Sequence, residues 1–378
     1  MLVESNLCTG CTACKAVCPK SAITMEEDKE GFLHPIIHND LCINCKLCEK
    51  VCPVTKEIKT EYERVYAAIS RDDEHRVRSS SGGIFYEISK KVLNQGGYVC
   101  GAAFDEKNQV HHIVINDFKD IDFLMRSKYV QSRMEDCFKR IKELLIEGKQ
   151  VLFVGTGCQV NGLVSFLQKK YDNLITLDII CHGVPSPKVW KLYLDYCNKT
   201  VGEDLKISDV NFRDKQQGWK DYGLSFKLSN DVKIYENKDS NVFMKVFLTD
   251  IALRPSCYNC HANGTSRYAD LTLGDFWGYN NFDLKINHSN KGLSILVAHT
   301  EVGKKLLEDG NFDLEEIDSD ALNYNPAYFK SWNEPKKRDT YMKTVNEDNF
   351  YDLSMKLSNV KRPLYRRVLG KIKRILKG

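Results

Sequence analysis

The first 52 residues hold eight cysteines in two copies of one pattern, Cys8-x2-Cys11-x2-Cys14-x3-Cys18-Pro19 and Cys42-x2-Cys45-x2-Cys48-x3-Cys52-Pro53. Three cysteines at three-residue spacing can wrap one cubane, because the tight turns between them aim the thiolates inward. The fourth, followed by proline, heads away to the other cluster. The spacing therefore predicts two 4Fe-4S clusters, one on Cys8, Cys11, Cys14 and Cys52 and the other on Cys42, Cys45, Cys48 and Cys18. A pair of zinc knuckles would use CxxC-type pairs and leave the third regularly spaced cysteine surplus. Gly10 suits the tight backbone beside inorganic sulfide. An electron relay follows from this segment, whereas the reaction it serves does not.

The other seven of the 15 cysteines are spread over the remaining 326 residues. Clustered thiols in a reducing compartment point to metal or redox chemistry, and the pattern leaves no room for a secretory h-region before Cys8. No apolar run approaches the ~18 residues of a membrane span. A cytoplasmic protein is expected. Net charge is +4, but residues 356–378 carry nine Lys or Arg and no acid, leaving 46 basic against 51 acidic residues elsewhere. The body is thus no nucleic-acid binder by charge.

Beyond the charged stretch 56–64 the pattern becomes α/β. Strands are expected over 65–70, 98–104, 110–116, 151–154 and 174–180, and helices over 83–94, 135–145 and 187–198. Short strands follow at 222–229, 232–235, 271–274 and 293–299. The run Gly155-Thr-Gly157-Cys-Gln-Val-Asn-Gly162, with Asp178 about 20 residues on, mimics a dinucleotide fingerprint. Its last glycine comes two positions late and a cysteine occupies the crest, so another phosphate or a flavin is the better expectation for that turn. Cys257-x2-Cys260 is half a metal site, completed by Cys158 and Cys181 if both sit at strand C-terminal ends. Zinc, with His182 or His261 available, is the competing ligand set. Cys100, Cys137 and Cys197 read as buried inert thiols.

Ser80-Ser-Gly-Gly83, Ser127-Lys-Tyr-Val-Gln-Ser132, Phe153 to Leu163, Cys181-His-Gly-Val-Pro-Ser186, Phe212-Arg-Asp-Lys215 with Gly218-Trp219, and Arg254-Pro-Ser-Cys-Tyr-Asn-Cys260 through Leu273-Gly-Asp-Phe-Trp277 occur in one order. Together they resemble the coenzyme F420 hydrogenase/dehydrogenase beta-subunit family, which also includes 7-hydroxymethyl chlorophyll a reductase. The resemblance runs from about residue 60 to 300, with the ferredoxin module in front. It implies FAD and a third 4Fe-4S cluster on Cys158, Cys181, Cys257 and Cys260. It puts Ser81, Gly82, Gly83, Ser127, Lys128 and Tyr129 near the flavin, joined by Gly155 and Thr156 of the glycine turn. Lys128 would neutralise a phosphate or polarise the flavin ring, against the competing reading of a solvated surface lysine. His182, Arg213 and Lys215 are candidates for orienting substrate, a structural role being the alternative for each. Asp275 and Trp277 read as turn and core at least as readily as cofactor contacts. The family usually has proline where this chain has Gly157, which suggests a displaced or labile third cluster.

The expected architecture is α+β to α/β: a two-cluster 4Fe-4S ferredoxin domain over 1–58, a mixed α/β flavin-binding domain over 62–330, and an extension over 331–378. The extension ends in a basic helix striped by Leu364, Val368, Ile372 and Ile375. Such a helix would lie on the inner membrane surface, dock on an acidic partner or pack on its own body. The expected activity is electron exchange between a hydride-type substrate, coenzyme F420 or another organic molecule, at FAD and a ferredoxin-like redox partner protein. The alternative is an electron-transfer subunit without a substrate of its own.

Overall fold

A computed structural model describes residues 3–59, 64–201, 205–287 and 289–358. The basic stripe at 364–375 lies outside the described residues. The strands, in chain order, are β1 Ile23–Glu27, β2 Leu33–Ile37, β3 Arg64–Ser70, β4 Tyr98–Phe104, β5 Val110–Ile115, β6 Val151–Thr156, β7 Leu174–Ile179, β8 Ile207–Asp214, β9 Gly223–Leu228, β10 Lys233–Asn237, β11 Leu271–Asp275, β12 Ser294–Ala298 and β13 Phe312–Ile317. They form a β1–β2 hairpin, a three-stranded β10-β9-β8 sheet and an eight-stranded sheet in the order β13-β3-β12-β11-β7-β6-β4-β5. The result is a mixed α/β protein behind an N-terminal ferredoxin-type segment.

Alternation decides which face each side chain serves. In β6, Val151 and Phe153 pack against the helices Cys137–Ile146 and Gly157–Leu167, while Leu152 points to the opposite core with Ile84, Ile88 and Val92. Strands buried on both faces read as continuous apolar runs, which is why 151–154 and 293–299 were legible as strands. β13 escaped the sequence reading because Asp313 and Glu316 face outward, and β8 because polar and charged residues interrupt it, with Arg213 and Asp214 at buried positions.

β4, β6, β7 and β11 run parallel, and β12, between β11 and β3, is antiparallel to both. Hence β3, β11, β7, β6 and β4 all end at one edge of the sheet. Open α/β sheets gather their ligands at this edge. The chain leaves β6 at Thr156, β7 at Ile179 and β11 at Asp275, within a few residues of Cys158, Cys181 and Trp277.

Two features extend the domain picture. Tyr341, Met342, Phe350 and Met355 belong to the same core as Trp190 and Phe243, so the boundary expected at 330/331 is not a break in packing. The ferredoxin segment is also docked on the body: Arg338 Nη1 donates to Glu30 Oε1 at 3.2 Å, Lys188 Nζ to the Lys29 carbonyl at 3.1 Å, and Gln131 Nε2 to the Thr9 carbonyl at 3.0 Å. Among the described residues no helix is long and apolar enough to cross a membrane.

Candidate metal centre and cofactor site

The doubled cysteine pattern is written into the backbone. Gly10 (φ 68°) matches Asn44 (φ 54°), Thr12 (φ 68°) matches Lys46 (φ 59°), and Cys18 (φ −67°, ψ 112°) matches Cys52 (φ −69°, ψ 116°). Left-handed conformations at Thr12 and Lys46 are costly for residues with a Cβ and are held where a loop must curl around something. Cys8, Cys11, Cys14 and Cys52 line one cavity with Met25, Pro35 and Pro53. Cys42 and Cys48 are half-buried and Cys45 is exposed, so the second set lies at the surface.

Charge in the first cavity is uneven. Burial pushes Cys11 up to about 12, and Cys8 and Cys52 add to the rise. Burial acts on Cys8 in the same sense, but His34, the Arg254 charge and the Gly10 amide together pull it below its ordinary value.

A second cavity is lined by Cys158, Cys181, Cys257 and Cys260 together with Thr156, His182, Arg254 and Arg267. Cys158 stands in the first turn of the helix Gly157–Leu167, Cys181 just past the end of β7, and Cys257 and Cys260 in and after the short helical turn Pro255–Asn259. Burial raises Cys158 to about 11 and Cys257 to about 12, and Cys181 goes well above its ordinary value under burial and the other three thiols. Four crowded thiols of this kind give up their protons only to a cationic core, which is what an iron–sulfur or metal site provides. Hydrogen bonds already reach the sulfurs: the Val184 amide to Cys257 at 3.4 Å, the Ala262 amide to Cys260 at 3.4 Å, and Thr156 Oγ1 with Cys158 at 3.1 Å. Among the described residues no three His, Cys, Asp or Glu side chains close around a single metal ion.

The glycine turn resolves into something the sequence already spelled. Thr156 and Gln159 form a capping box, with the Thr156 amide donating to Gln159 Oε1 at 2.9 Å. Thr156-x-x-Gln159 is a helix-start signal, and it commits Thr156 to the cap. Asp178, the mimic of a ribose-binding acid, is fully buried in an ion pair with Arg267 at 2.9 Å. Gly157 is required by closeness, since a Cβ there would lie 2.8 Å from the Ala262 carbonyl oxygen.

Away from these cysteines, four sequence segments converge. The Ser127 amide donates to Ser80 Oγ at 2.8 Å, and Ser81 Oγ to the Leu293 carbonyl at 2.9 Å. Arg213 pairs with Asp275 at 3.0 Å, lies 3.8 Å over the Tyr222 ring and approaches Tyr129 Oη at 3.5 Å. Trp219 Nε1 donates to Asp275 Oδ1 at 3.0 Å, and Trp219 stacks on Trp277, which is 40% exposed. Lys215 Nζ holds the carbonyls of Arg76, Ser81 and Lys291, and burial lowers it to about 7. Lys215 and Arg213 are therefore framework groups for the loop 80–83. Lys128 is no surface lysine: Nζ donates to the Met125 carbonyl at 2.7 Å, and burial and Arg126 lower it to about 7.

The glycines serve packing. Gly82 is fixed because a Cβ would meet the Ala68 carbonyl oxygen at 2.4 Å, and its amide already donates to Ser294 Oγ; Gly83, at φ 89°, opens the helix Ile84–Asn94. The predicted polar set thus divides. The segment 80–83 meets Ser127 through Ser80 and is tied to Tyr129 through Arg213, whereas Lys128 Nζ turns to the Met125 and Arg126 carbonyls; Thr156 and His182 line the cysteine cavity and Gly155 sits on Gln159. His182 Nε2 meets Asp250 Oδ1 at 2.6 Å and its ring packs against Trp332. Sequence reasoning missed Arg254 and Gln131, although both lie inside motifs it had singled out.

Comparison with known proteins adds the following. Residues 148–320 match the family described as the C terminus of the coenzyme F420 hydrogenase/dehydrogenase beta subunit, and residues 7–56 match a 4Fe-4S dicluster domain. The chain is 27% identical over 210 residues to the coenzyme F420-dependent sulfite reductase of Methanocaldococcus jannaschii, covering 54% of this chain and 32% of the reductase, so it spans about a third of that relative's length. It is 22% identical over 329 residues to a subunit of the F(420)H(2) dehydrogenase of Methanosarcina mazei, covering 81% of this chain and 83% of that one. A chain of the F420-reducing NiFe hydrogenase complex from Methanosarcina barkeri is similar at 17% identity and a TM-score of 0.47, over 79% of this chain and 91% of that chain.

Proposed function

Because the chain belongs to the coenzyme F420 hydrogenase/dehydrogenase beta-subunit family and carries a 4Fe-4S dicluster domain in front, we propose that it is an iron–sulfur flavoprotein oxidoreductase. It passes electrons between a hydride-type substrate, coenzyme F420 or a related organic molecule, and a ferredoxin-like redox protein. Cys158, Cys181, Cys257 and Cys260 hold a third 4Fe-4S cluster, and FAD lies against Ser81–Gly83 and Ser127–Tyr129. FAD supplies the exchange of a two-electron hydride for single electrons, which iron–sulfur clusters take one at a time.

The observation that carries this reading is the gathering of four half-buried thiols from residues 158, 181 and 257–260 around one cavity at the sheet edge, beside the cavity of Cys8, Cys11, Cys14 and Cys52. The chain's own groups support the rest. Lys128 spends two donors on the carbonyls of Met125 and Arg126 and keeps a third for a phosphate or a flavin carbonyl. Trp277 offers an exposed indole face stacked on Trp219, and the Arg213–Asp275 pair fixes the loop behind it. The exposed Cys45 places the other end of the relay at the surface, where a partner protein can reach it.

A second reading has its own support: the relative from Methanosarcina mazei is named as a dehydrogenase subunit, so this chain could relay electrons for a partner and bind no substrate. Anaerobic purification with iron, sulfide and flavin quantification on one sample tests both. About twelve irons with one FAD per chain supports the flavoprotein. About eight irons without flavin leaves the relay alone.

A further inference from the structure

Arg254 is 1% exposed, and among the described residues its guanidinium pairs with no carboxylate. Nε donates to the Cys8 carbonyl at 2.6 Å, Nη1 to Gln131 Oε1 at 2.8 Å and Nη2 to the Leu33 carbonyl at 2.9 Å, with His34 Nε2 at 3.4 Å. The acid on this side, Asp28, is held by His34 at 3.2 Å. A cation taken out of water is costly unless an opposite charge answers it, and among the described residues no carboxylate pairs with this one. The negative charge it faces must come from elsewhere.

The geometry says where. Arg254 leaves the backbone three residues before Cys257, with its amide bonded to the Val184 carbonyl at 3.0 Å, so it starts among the four inner cysteines and lines their cavity. Its side chain then crosses into the ferredoxin segment. A Cβ on Gly10 would lie 2.9 Å from both Arg254 Nη1 and Gln131 Nε2, so the chain between Cys8 and Cys11 closes directly over the guanidinium. Gln131 completes the clamp through its bond to the Thr9 carbonyl at 3.0 Å. Arg254 therefore borders both cysteine sets, lining the inner cavity and bonding the Cys8 carbonyl of the first ferredoxin set.

We infer that Arg254 is the shared counter-cation of two anionic iron–sulfur clusters, a positioning residue that sets their reduction potentials together. This rests on the cluster assignment proposed above. Reduction adds negative charge to a cluster, and a fixed buried cation stabilises the reduced form and raises the potential. Arg254 reaches both the first ferredoxin set and the inner one, so electrons pass between sites held up by one charge. The surface set on Cys42, Cys45, Cys48 and Cys18 makes no contact with Arg254 among the described residues and serves as the reference.

The test is redox titration followed by electron paramagnetic resonance on the full chain, purified anaerobically, as wild type, Arg254→Gln and Arg254→Lys. In Arg254→Gln, two clusters should become at least about tenfold harder to reduce, which is 59 mV for one electron, while the surface cluster stays in place. Arg254→Lys keeps the charge and loses the fork, so its potentials should remain near wild type. Full iron with unmoved potentials in Arg254→Gln overturns the proposal, as does a lysine variant that shifts as far as glutamine. If Arg254→Gln loses iron, the lysine variant decides: iron and potentials near wild type support the charge role, and iron lost in both overturns it. A wild type with about eight irons removes the inner cluster, and with it both the cluster assignment and this role for Arg254. About twelve irons with unmoved potentials removes only the role of Arg254.

Discussion

A Cβ placed on Gly162 would lie 2.8 Å from Cβ of Cys11 and 2.9 Å from its Sγ, so the ferredoxin segment rests directly on the helix Gly157–Leu167. Cys158 stands in the first turn of that helix, four residues and about 6 Å along the axis from Gly162. One rigid element therefore carries the inner Cys158 on its end and supports Cys11 of the first ferredoxin set on its flank. The Cys11 thiol, fully enclosed, is pushed up in part by Cys158. This proximity is what an electron relay between the two sets requires.

Gly162→Ala should lift Cys11 off the helix. Overpacking of this kind costs about 1–3 kcal/mol, and the strain falls on a cysteine of the first cavity. We expect a lower thermal midpoint together with the loss of about four irons per chain. A mutant with full iron and an unchanged midpoint would mean the ferredoxin segment moves aside freely. Calorimetry and iron assay on one preparation decide it.

Asp275→Asn should be strongly destabilising. It leaves Arg213, only 3% exposed, without its carboxylate, and breaking a buried pair by removing one partner costs about 3–5 kcal/mol. Asparagine keeps one oxygen and turns the other into an NH2 donor, so it cannot serve Arg213 and Trp219 Nε1 as the carboxylate does. Replacing both partners, Arg213→Met with Asp275→Leu, should recover part of the loss. Urea midpoints for the single and double variants measure the difference, and a double variant weaker than Asp275→Asn would contradict it.

Acid should weaken the fold through two buried histidines. Burial lowers His112 to about 4, where it bonds Ser132 Oγ at 2.7 Å, and burial with the Arg267 charge lowers His299 to about 3. In the unfolded chain both titrate near 6.5. Above that pH neither state binds the proton and stability is unaffected. Below it the unfolded chain takes up protons that the folded chain refuses, so stability falls with pH by about 1.4 kcal/mol per unit for each histidine. Urea midpoints between pH 7.5 and 5.5 should show the decline, and His112→Asn should reduce its slope by about half.

Lys128→Met tests the flavin reading separately from the clusters. Lys128 Nζ is anchored on the Met125 and Arg126 carbonyls and touches no cysteine among the described residues. We expect flavin affinity to drop at least tenfold, about 1.4 kcal/mol, with iron content unchanged. Fluorescence titration with FAD reads the first and iron assay the second; equal loss of both would assign Lys128 to the scaffold.

The residues that act through short covalent spacing were legible from the chain alone. The two cysteine runs are cages because three-residue intervals curl the backbone locally, and Gly10 matching Asn44 repeats that curl in φ and ψ. The apolar runs of β6 and β12 were readable for the same reason, since alternation and burial are properties of a few consecutive residues. Thr156-x-x-Gln159 was also there to be read as a helix cap, but the surrounding glycines drew attention to a phosphate turn instead.

The rest was decided by contacts between distant parts of the chain. Nothing within ten residues of Arg254 announces that its side chain ends on the Cys8 carbonyl, 246 positions earlier. Nor does local pattern separate His182, which meets Asp250 on the cysteine cavity, from Arg213 and Lys215, which lock the loop 80–83. A charged side chain finds its partner where sheet order brings the strand ends together. That order, β3 beside β12 and β11 beside β7, is set by burial of whole faces, because water is excluded from a core only when all its strands close at once.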